Sequence, residues 1–185
     1  MTAFRVVDST ARGRAGSLEL VELAVEAPDG ESIRRVVVRH PGAVVVVPVE
    51  GDDAILVRQW RAAPARSLLE VPAGKRDVDG EAPEATAARE LEEEIGRLPG
   101  RLTKLAEFYN SPGFTDEYTH LYCATELTAT ERRSVSAEER EMAIEWVRLD
   151  DVPALIAARE LVDAKSIIGL LLTRQLLADR AAGRA

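Results

Sequence analysis

The sequence predicts a mixed α/β (α+β) domain in which a sheet lies between layers of helices. One supporting observation is the order of apolar segments, which runs from strands to a helix, back to strands and then to helices. A second is size, since 185 residues with 46% hydrophobic content are enough for one domain with a real core. We expect N-terminal strands at residues 1–40 to precede the main domain at residues 41–185.

Strands are predicted where apolar residues alternate or where β-branched residues form short runs. Residues 17–39 predict a β-hairpin with Asp29 and Gly30 in the turn. The segments GAVVVVPVE and DAILVRQWR flank Gly51 and predict buried strands of a central sheet. Further strands are predicted in KLAEFYNS, EYTHLYCATEL and MAIEWVRL.

Helices are predicted at three places. The first begins near Pro83, because proline suits the first helical turn, and ends at Gly96, a glycine suited to a left-handed cap. The segments DDVPALIAARE and AKSIIGLLLTRQLLADR have helical apolar spacing, and the second is rich enough in Leu and Ile to pack extensively.

Composition argues against several classes of protein. The net charge of −8 argues against a nonspecific binder of nucleic acid or of anionic membranes, since such surfaces need excess Lys and Arg. The sequence contains no run of 18 apolar residues and begins without the apolar stretch of a signal peptide, so we expect a cytoplasmic protein. A single cysteine, Cys123, excludes an internal disulfide framework and favours a small core residue.

The most informative stretch is AARELEEEIG at residues 87–96. On the predicted helix, Ala88, Leu91 and Ile95 share a core face, while Glu90 and Glu94 lie one turn apart beside it. A solvated acidic face is the ordinary interpretation of such a run. However, like charges four residues apart cost about 0.2–0.5 kcal/mol, and carboxylates at a helix C-terminus oppose the helix dipole. A bound Mg²⁺ would turn this repulsion into coordination, with a phosphate ester or anhydride as substrate.

The stretch GKRDVDGEAPEATAARELEEEIGR, from Gly74 to Arg97, resembles the Nudix box. The loop after Gly74 is one residue longer than the family's pattern, and Arg97 stands where an aliphatic residue is usual. Neither departure removes a ligand, because the insertion lies in a loop and Arg97 follows the helix. The matching residues are Glu81, Arg89, Glu90, Leu91, Glu93, Glu94 and Gly96.

The resemblance implies a Nudix-type α/β/α sandwich with a mixed sheet and a divalent-metal site. It implies that Glu90 and Glu94 bind Mg²⁺, with Mn²⁺ as the alternative cation. Glu93 would act either as a further ligand or as a group that supports the ligands, and the carbonyl of Ala73 would supply another ligand.

Arg89 is expected to orient these carboxylates by bidentate pairing rather than to contact substrate. Glu81 either pairs with Arg89 or is an exposed acid favoured by the helix dipole.

The resemblance places the catalytic base outside the box, in the segment SVSAEEREMAIEW. Aligned by the following strand, Glu139 corresponds to the base and Glu141 to an additional metal ligand. The alternative is a solvated acidic loop, in which case Glu93 or Glu138 is the next candidate base. We expect this segment to become ordered only when substrate and metal bind.

Three features resemble the ADP-ribose pyrophosphatase branch of the family. The sequence LLEVPAG leads into the box, Pro112 lies fifteen residues beyond Arg97, and the N-terminal hairpin resembles a segment exchanged across a homodimer. An ordinary turn is the alternative for Pro112. The resemblance implies hydrolysis of ADP-ribose to AMP and ribose 5-phosphate.

Two residues of VRQWRAAP are candidate substrate contacts. Arg61 corresponds to a position that contacts ADP-ribose in the branch, and Trp60 either stacks on the adenine or packs in the core. The competing functions are hydrolysis of another nucleotide sugar, such as GDP-mannose, and noncatalytic binding of ADP-ribose. A sensor would tend to lose the box glutamates, which this chain retains.

Overall fold

The computed structural model of the 185-residue chain describes residues 3–133 and 136–184. The strands are β1 (Arg5–Ala15), β2 (Leu18–Glu26), β3 (Ser32–Arg39), β4 (Ala43–Glu50), β5 (Asp53–Arg61), β6 (Arg66–Glu70), β7 (Ala73–Lys75), β8 (Arg97–Leu98), β9 (Arg101–Tyr109), β10 (Tyr118–Thr125), β11 (Thr128–Ala129) and β12 (Ala143–Arg148). The helices are α1 (Pro83–Ile95), α2 (Ala137–Arg140), α3 (Val152–Ala157) and α4 (Ala164–Ala181), and a 3₁₀ turn spans Leu149–Asp151.

The chain divides into two compact units. The first comprises the described residues up to Gly42 together with Phe108–Thr119. Its antiparallel sheet has the order β1-β2-β3. In the β2–β3 turn, the N–H of Gly30 donates to Ala27 O at 2.9 Å with the glycine at φ +90°, a conformation that glycine adopts readily. The predicted hairpin is therefore confirmed, and β1 adds a strand that the sequence interpretation missed.

The second unit comprises Ala43–Glu107 and the described residues from His120 onward. Its sheet has the order β12-β5-β4-β10-β9, with β6 paired to β5 and β7 paired to β4. The side chains of β4 show why this strand is central, because Val44, Val45, Val46 and Val47 are all fully buried. A strand covered on both faces has no need of polar alternation.

Helices cover both faces of this sheet. Ala87, Leu91 and Ile95 of α1 pack in one cluster with Val44 and Val46. On the opposite face α4 lies so close that a Cβ added at Gly169 would be 2.8 Å from Val47 and 3.1 Å from Leu121. Because successive side chains of a strand point to opposite faces, α1 and α4 form the outer layers of an α/β/α arrangement.

Most of the predicted elements of the second unit are present. The strands β4, β5, β9, β10 and β12 and the helices α1 and α4 lie where expected. The short strands β6 and β7 were not predicted, and DDVPALIAARE forms only the 3₁₀ turn and the six-residue α3. The core face of α1 uses Ala87, whereas Ala88 is only partly buried. Cys123 is buried as predicted.

Within residues 3–133 and 136–184, no helix combines the length and the apolar character needed to cross a bilayer.

Candidate active site

The geometry of α1 fixes where its glutamates point. The helix begins with Pro83 after an extended Ala82 and ends at Gly96, which has φ 62° and donates its N–H to Glu92 O at 3.1 Å. A Cβ at Gly96 would be 2.8 Å from the carbonyl oxygen of Thr130, so glycine is required there both for its φ and for this close approach.

Arg89 gathers three carboxylates around one guanidinium. Its Nε and Nη2 donate to the two oxygens of Glu81, both at 3.2 Å. Its Nη1 donates to Glu90 at 2.8 Å and to Glu93 at 3.1 Å. Glu81 thus pairs with Arg89 and is not an unpaired acid at the start of the helix. The bonds from Arg89 hold the pKa of Glu81 below its usual range. The geometry agrees with the orienting role expected of Arg89, while its part in catalysis stays a prediction.

Glu90 lies directly against strand β7, which precedes the helix. A Cβ built at Gly74 would be 1.9 Å from Cδ and 2.0 Å from Oε1 of Glu90, so the absent side chain leaves the space that the carboxylate fills. Burial raises the pKa of Glu90 to about 7, since Arg89 offsets this effect only in part and the charges of Glu93 and Glu139 add to it.

Glu94 is the more deeply buried member of the pair and is only 5% exposed. Its Oε2 accepts the main-chain N–H of Ala73 at 3.2 Å, which brings β7 to the carboxylate. Burial raises the pKa of Glu94 to about 8, and the nearby charge of Glu90 adds to the shift. The buried Glu94 and the partly buried Glu90 therefore lie together beside the main chain of β7.

Across the described residues, no three His, Cys, Asp or Glu side chains form a ready-made group for a metal ion. The pair nevertheless fits a divalent cation, because Glu94 is buried and Glu90 partly buried, both have raised pKa values and Glu90 occupies the space that the missing side chain of Gly74 leaves open. Oxygen ligands of this kind suit a hard cation, which would replace the protons. The predicted ligand set itself stays a prediction.

The predicted base lies on α2. Glu139 and Ser136 form reciprocal bonds, in which Ser136 N–H donates to Glu139 Oε2 at 3.2 Å and Glu139 N–H donates to Ser136 Oγ at 3.1 Å. This is a capping box. The guanidinium of Arg132 holds the carbonyls of Glu139 and Met142. The charge of Glu139 contributes to the raised pKa values of Glu90 and Glu94, which places it in their neighbourhood.

The rest of this segment is less informative. Glu141 is exposed, and its role as a metal ligand stays a prediction. The side chain of Glu138 and residues 134 and 135 lie outside the described residues. The expectation that the segment becomes ordered with substrate therefore stays a prediction.

Arg61 forms a bidentate ion pair that the sequence interpretation missed. Its Nε and Nη2 donate to the two oxygens of Glu70, at 2.8 and 2.7 Å, and Glu70 is only 2% exposed. This pair raises the pKa of Arg61, with smaller contributions from Glu94 and Asp163. The signal available in the sequence was an acid inside the apolar run LLEVP, since a buried carboxylate needs a cationic partner.

Trp60 and Pro112 are the remaining predicted substrate contacts. Trp60 is 55% exposed, so its packing in the core is excluded and its ring is open to a ligand. Pro112 belongs to the first unit, where the N–H groups of Phe114 and Thr115 both donate to Ser111 O at 3.1 Å and close a turn around the proline. Substrate contact by either residue stays a prediction.

A model of the NUDIX domain matches residues 38–167. The chain belongs to the Nudix hydrolase family. Nudix hydrolases generally use divalent metal ions, in agreement with the buried acidic pair. Arg97, at the box position that departs from the family's pattern, lies 3.4 Å from Glu50 and stacks over Trp146 at 5.9 Å, so its side chain is turned to other partners than the box carboxylates.

Two curated Nudix relatives resemble the chain over most of its length. It is 43% identical to the ADP-ribose pyrophosphatase of Bacillus subtilis over 143 residues, which cover 77% of this chain and 77% of that protein. It is 37% identical to the ADP-ribose pyrophosphatase of Mycobacterium tuberculosis over 148 residues, which cover 80% of this chain and 72% of that protein.

The fold is shared with a solved structure. The crystal structure of an ADP compounds hydrolase has a TM-score of 0.82 to this chain, covers 100% of it and 98% of its own chain, and is 22% identical. The Nudix fold predicted from the box is thereby confirmed.

Proposed function

We propose that this Nudix hydrolase is a Mg²⁺-dependent enzyme that hydrolyses the pyrophosphate bond of ADP-ribose to AMP and ribose 5-phosphate. The observation that carries the proposal is the pair of carboxylates of the partly buried Glu90 and the buried Glu94, whose pKa values are raised to about 7 and about 8 at the end of the box helix. The two relatives named ADP-ribose pyrophosphatase support the choice of substrate.

In this proposal the carboxylates of Glu90 and Glu94 and the carbonyl of Ala73 hold the cation, with Mn²⁺ able to replace Mg²⁺. When bound, the cation neutralises the pyrophosphate and lowers the pKa of the attacking water. Arg89 keeps Glu90 and Glu93 oriented through its bonds at 2.8 and 3.1 Å. It does so without contacting substrate.

The reaction forms one bond from the water oxygen to a phosphorus and breaks the bond from that phosphorus to the bridging oxygen. Glu139 accepts the proton of the water, and its carboxylate has lone pairs for this beyond the one on Oε2 that accepts the N–H of Ser136. Glu141 assists in binding the metal. The displaced bridging oxygen stays with the other phosphate, so AMP and ribose 5-phosphate account for all atoms.

Substrate recognition is assigned to residues outside the box. The guanidinium of Arg61, fixed by Glu70, offers its remaining N–H groups to the substrate. The exposed ring of Trp60 offers a stacking surface for the adenine, and Pro112 shapes the loop between β9 and β10.

We also propose a homodimer in which the N-terminal strands, residues 1–40, pack on the partner while residues 41–185 form the hydrolase domain. Every residue of β1 is exposed, including Val6 and Val7, which are 58% and 52% exposed. A long edge strand with exposed apolar residues is a template for another chain. The cytoplasmic location stays a prediction.

A substrate panel tests the proposed function. Purified protein with Mg²⁺ is given ADP-ribose, GDP-mannose, NADH or a diadenosine polyphosphate, and the products are identified by chromatography. We expect the highest kcat/KM for ADP-ribose, with AMP and ribose 5-phosphate formed in equal amounts. A higher kcat/KM for GDP-mannose would reassign the substrate, and binding of ADP-ribose without turnover would indicate a noncatalytic protein.

A further inference from the structure

Segment 70–73, which enters the box, is attached to helices on both faces of the sheet. The main-chain N–H of Val71 donates to the hydroxyl of Ser166 on α4 at 2.9 Å. Two residues later the N–H of Ala73 donates to Glu94 on α1 at 3.2 Å. Val71 is 2% exposed, so no water can replace Ser166 as the acceptor of its N–H.

Ser166 is in turn fixed at the first turn of α4. Its main-chain N–H and its hydroxyl both donate to Oδ2 of Asp163, the residue that caps the helix, at 2.9 and 2.7 Å. Lys165 adds an ion pair to Asp163 at 2.8 Å. A continuous chain of donors therefore runs from Val71 through the fully buried Ser166 to a charged carboxylate, and each bond in such a chain strengthens its neighbour.

The same segment supports two parts of the candidate site that lie outside α1. At its start, Glu70 holds Arg61 by two bonds of 2.8 and 2.7 Å. At its end lies the main chain of Ala73. A displacement of Val71 would therefore move the substrate-binding arginine and the proposed carbonyl ligand together.

We propose that Ser166, held by Asp163, is a positioning residue that sets the path of segment 70–73 and through it the placement of Arg61 and of the Ala73 main chain. The expected effect of Ser166 on kcat rests on the proposed function. Its expected effect on the main chain of segment 70–73 does not. Helix α4 thereby belongs to the support of the site, and the proposed role of Ser166 and Asp163 requires no contact with substrate.

Ser166→Ala removes the acceptor of a buried N–H and leaves the volume nearly unchanged. Ser166→Thr keeps the hydroxyl and serves as the conservative variant. Thr173→Val is the matched control, because Thr173 is also fully buried on α4 but its hydroxyl lies beside Cys123, away from segment 70–73. Comparing the three variants distinguishes the effect of losing the Ser166 hydroxyl from the effect of losing any buried hydroxyl on α4.

Three measurements are made on each variant of the full chain. Amide hydrogen exchange of Val71 is followed in metal-free protein, the dissociation constant for Mn²⁺ is measured by calorimetry, and kcat and KM are measured with ADP-ribose. For Ser166→Ala we expect faster exchange at Val71 and a loss of about 10–100-fold in Mn²⁺ affinity or in kcat, as for other residues that orient metal ligands. Ser166→Thr should recover most of this loss, and Thr173→Val should resemble the wild type.

The proposal is overturned if Ser166→Ala lowers the melting temperature but leaves Mn²⁺ affinity and kcat within about two-fold of wild type, or if Thr173→Val causes the same losses. Should Ser166→Ala fail to fold, Asp163→Asn, which retains a good helix cap, decides by the same three readings. The hydrogen-exchange and Mn²⁺ measurements need no substrate. A failure of ADP-ribose hydrolysis in the wild type would therefore reject the proposed function without touching this inference.

Discussion

The carboxylate of Glu94 accepts the main-chain N–H of Ala73 at 3.2 Å, so this bond joins the box helix α1 to segment 70–73. Glu94 is only 5% exposed, and its pKa is raised to about 8. Ionising a buried acid beside a second carboxylate is costly, and the proposed metal site accounts for this arrangement. The first prediction concerns the cost of placing this carboxylate there.

Glu94→Gln is expected to abolish most of the activity and to raise the melting temperature of the metal-free protein. The amide keeps the shape and an acceptor for Ala73 while removing a buried charge that Glu90 repels. Activity is measured at saturating Mg²⁺, and melting is followed in chelator. Glu92→Gln on the same helix, which is not among the predicted ligands, is the control. Full turnover by the Glu94→Gln variant would show that the metal site is wrongly assigned.

The stability of metal-free protein should fall as pH rises from about 5 to about 8. Glu90 and Glu94 have an ordinary pKa of 4.5, raised on folding to about 7 and about 8. Over this range the folded state holds more protons than the unfolded state, so the free energy of unfolding decreases with pH. Mn²⁺ affinity should increase over the same range because protons compete with the metal. Urea unfolding and calorimetry at four pH values test both trends.

Glu94→Gln provides the control for this pH dependence. Removing one of the two titrating groups should flatten the fall in stability. An unchanged slope would place the titration elsewhere in the protein.

Gly74→Ala is expected to lower kcat by about 10²-fold with little loss of stability, because a displaced catalytic group costs about this much. The new Cβ would be 1.9 Å from Cδ of Glu90, and the end of a flexible side chain can move aside. The carboxylate would then leave the position in which Arg89 holds it. Gly13→Ala is the control, since a Cβ there meets nothing within 4 Å. Equal kcat values for wild type and Gly74→Ala would contradict the assignment of Glu90.

Glu139→Gln should lower kcat by about 10²–10⁴-fold with little change in KM, because a general base acts in the transition state. Glu141→Gln should instead raise the Mg²⁺ concentration that gives the half-maximal rate. Ser136→Ala is the matched control, since it breaks the capping box but keeps the Glu139 carboxylate. The rate of each variant is measured across a Mg²⁺ titration.

If neither Glu139→Gln nor Glu141→Gln changes kcat or metal dependence by more than a few-fold, the base lies elsewhere. Glu93 and Glu138 would then be the next candidates.

The protein is expected to be a dimer at micromolar concentration, and Val6→Arg should shift it toward monomer. Val6 is 58% exposed on β1, where a charge would oppose packing on a partner. Leu172→Arg places the same charge on an exposed apolar position of α4 and should leave the dimer intact. Light scattering shows whether each variant is a monomer or a dimer. A fully active wild-type monomer would rule out the exchanged N-terminal strands.

The sequence by itself determined the box and the helix that carries it. Pro83 and Gly96 marked the ends of α1 because proline and glycine have strong backbone preferences, and the spacing of Glu90 and Glu94 follows from the helical repeat. The apolar runs of β4 and β5 identified the centre of the sheet, since strands buried on both faces need continuous apolar residues. These are local properties, so they could be inferred from the sequence before the fold was known.

Tertiary structure alone decided which distant groups meet. The partnership of Arg61 with Glu70 depends on the pairing of β5 with β6, and the bond from Val71 to Ser166 joins residues 95 positions apart. The raised pKa values of Glu90 and Glu94 arise from burial, which spacing along a helix cannot supply. Burial and long-range contact are properties of the packed chain, because each depends on elements that come together only when the sheet and its two helical layers have formed.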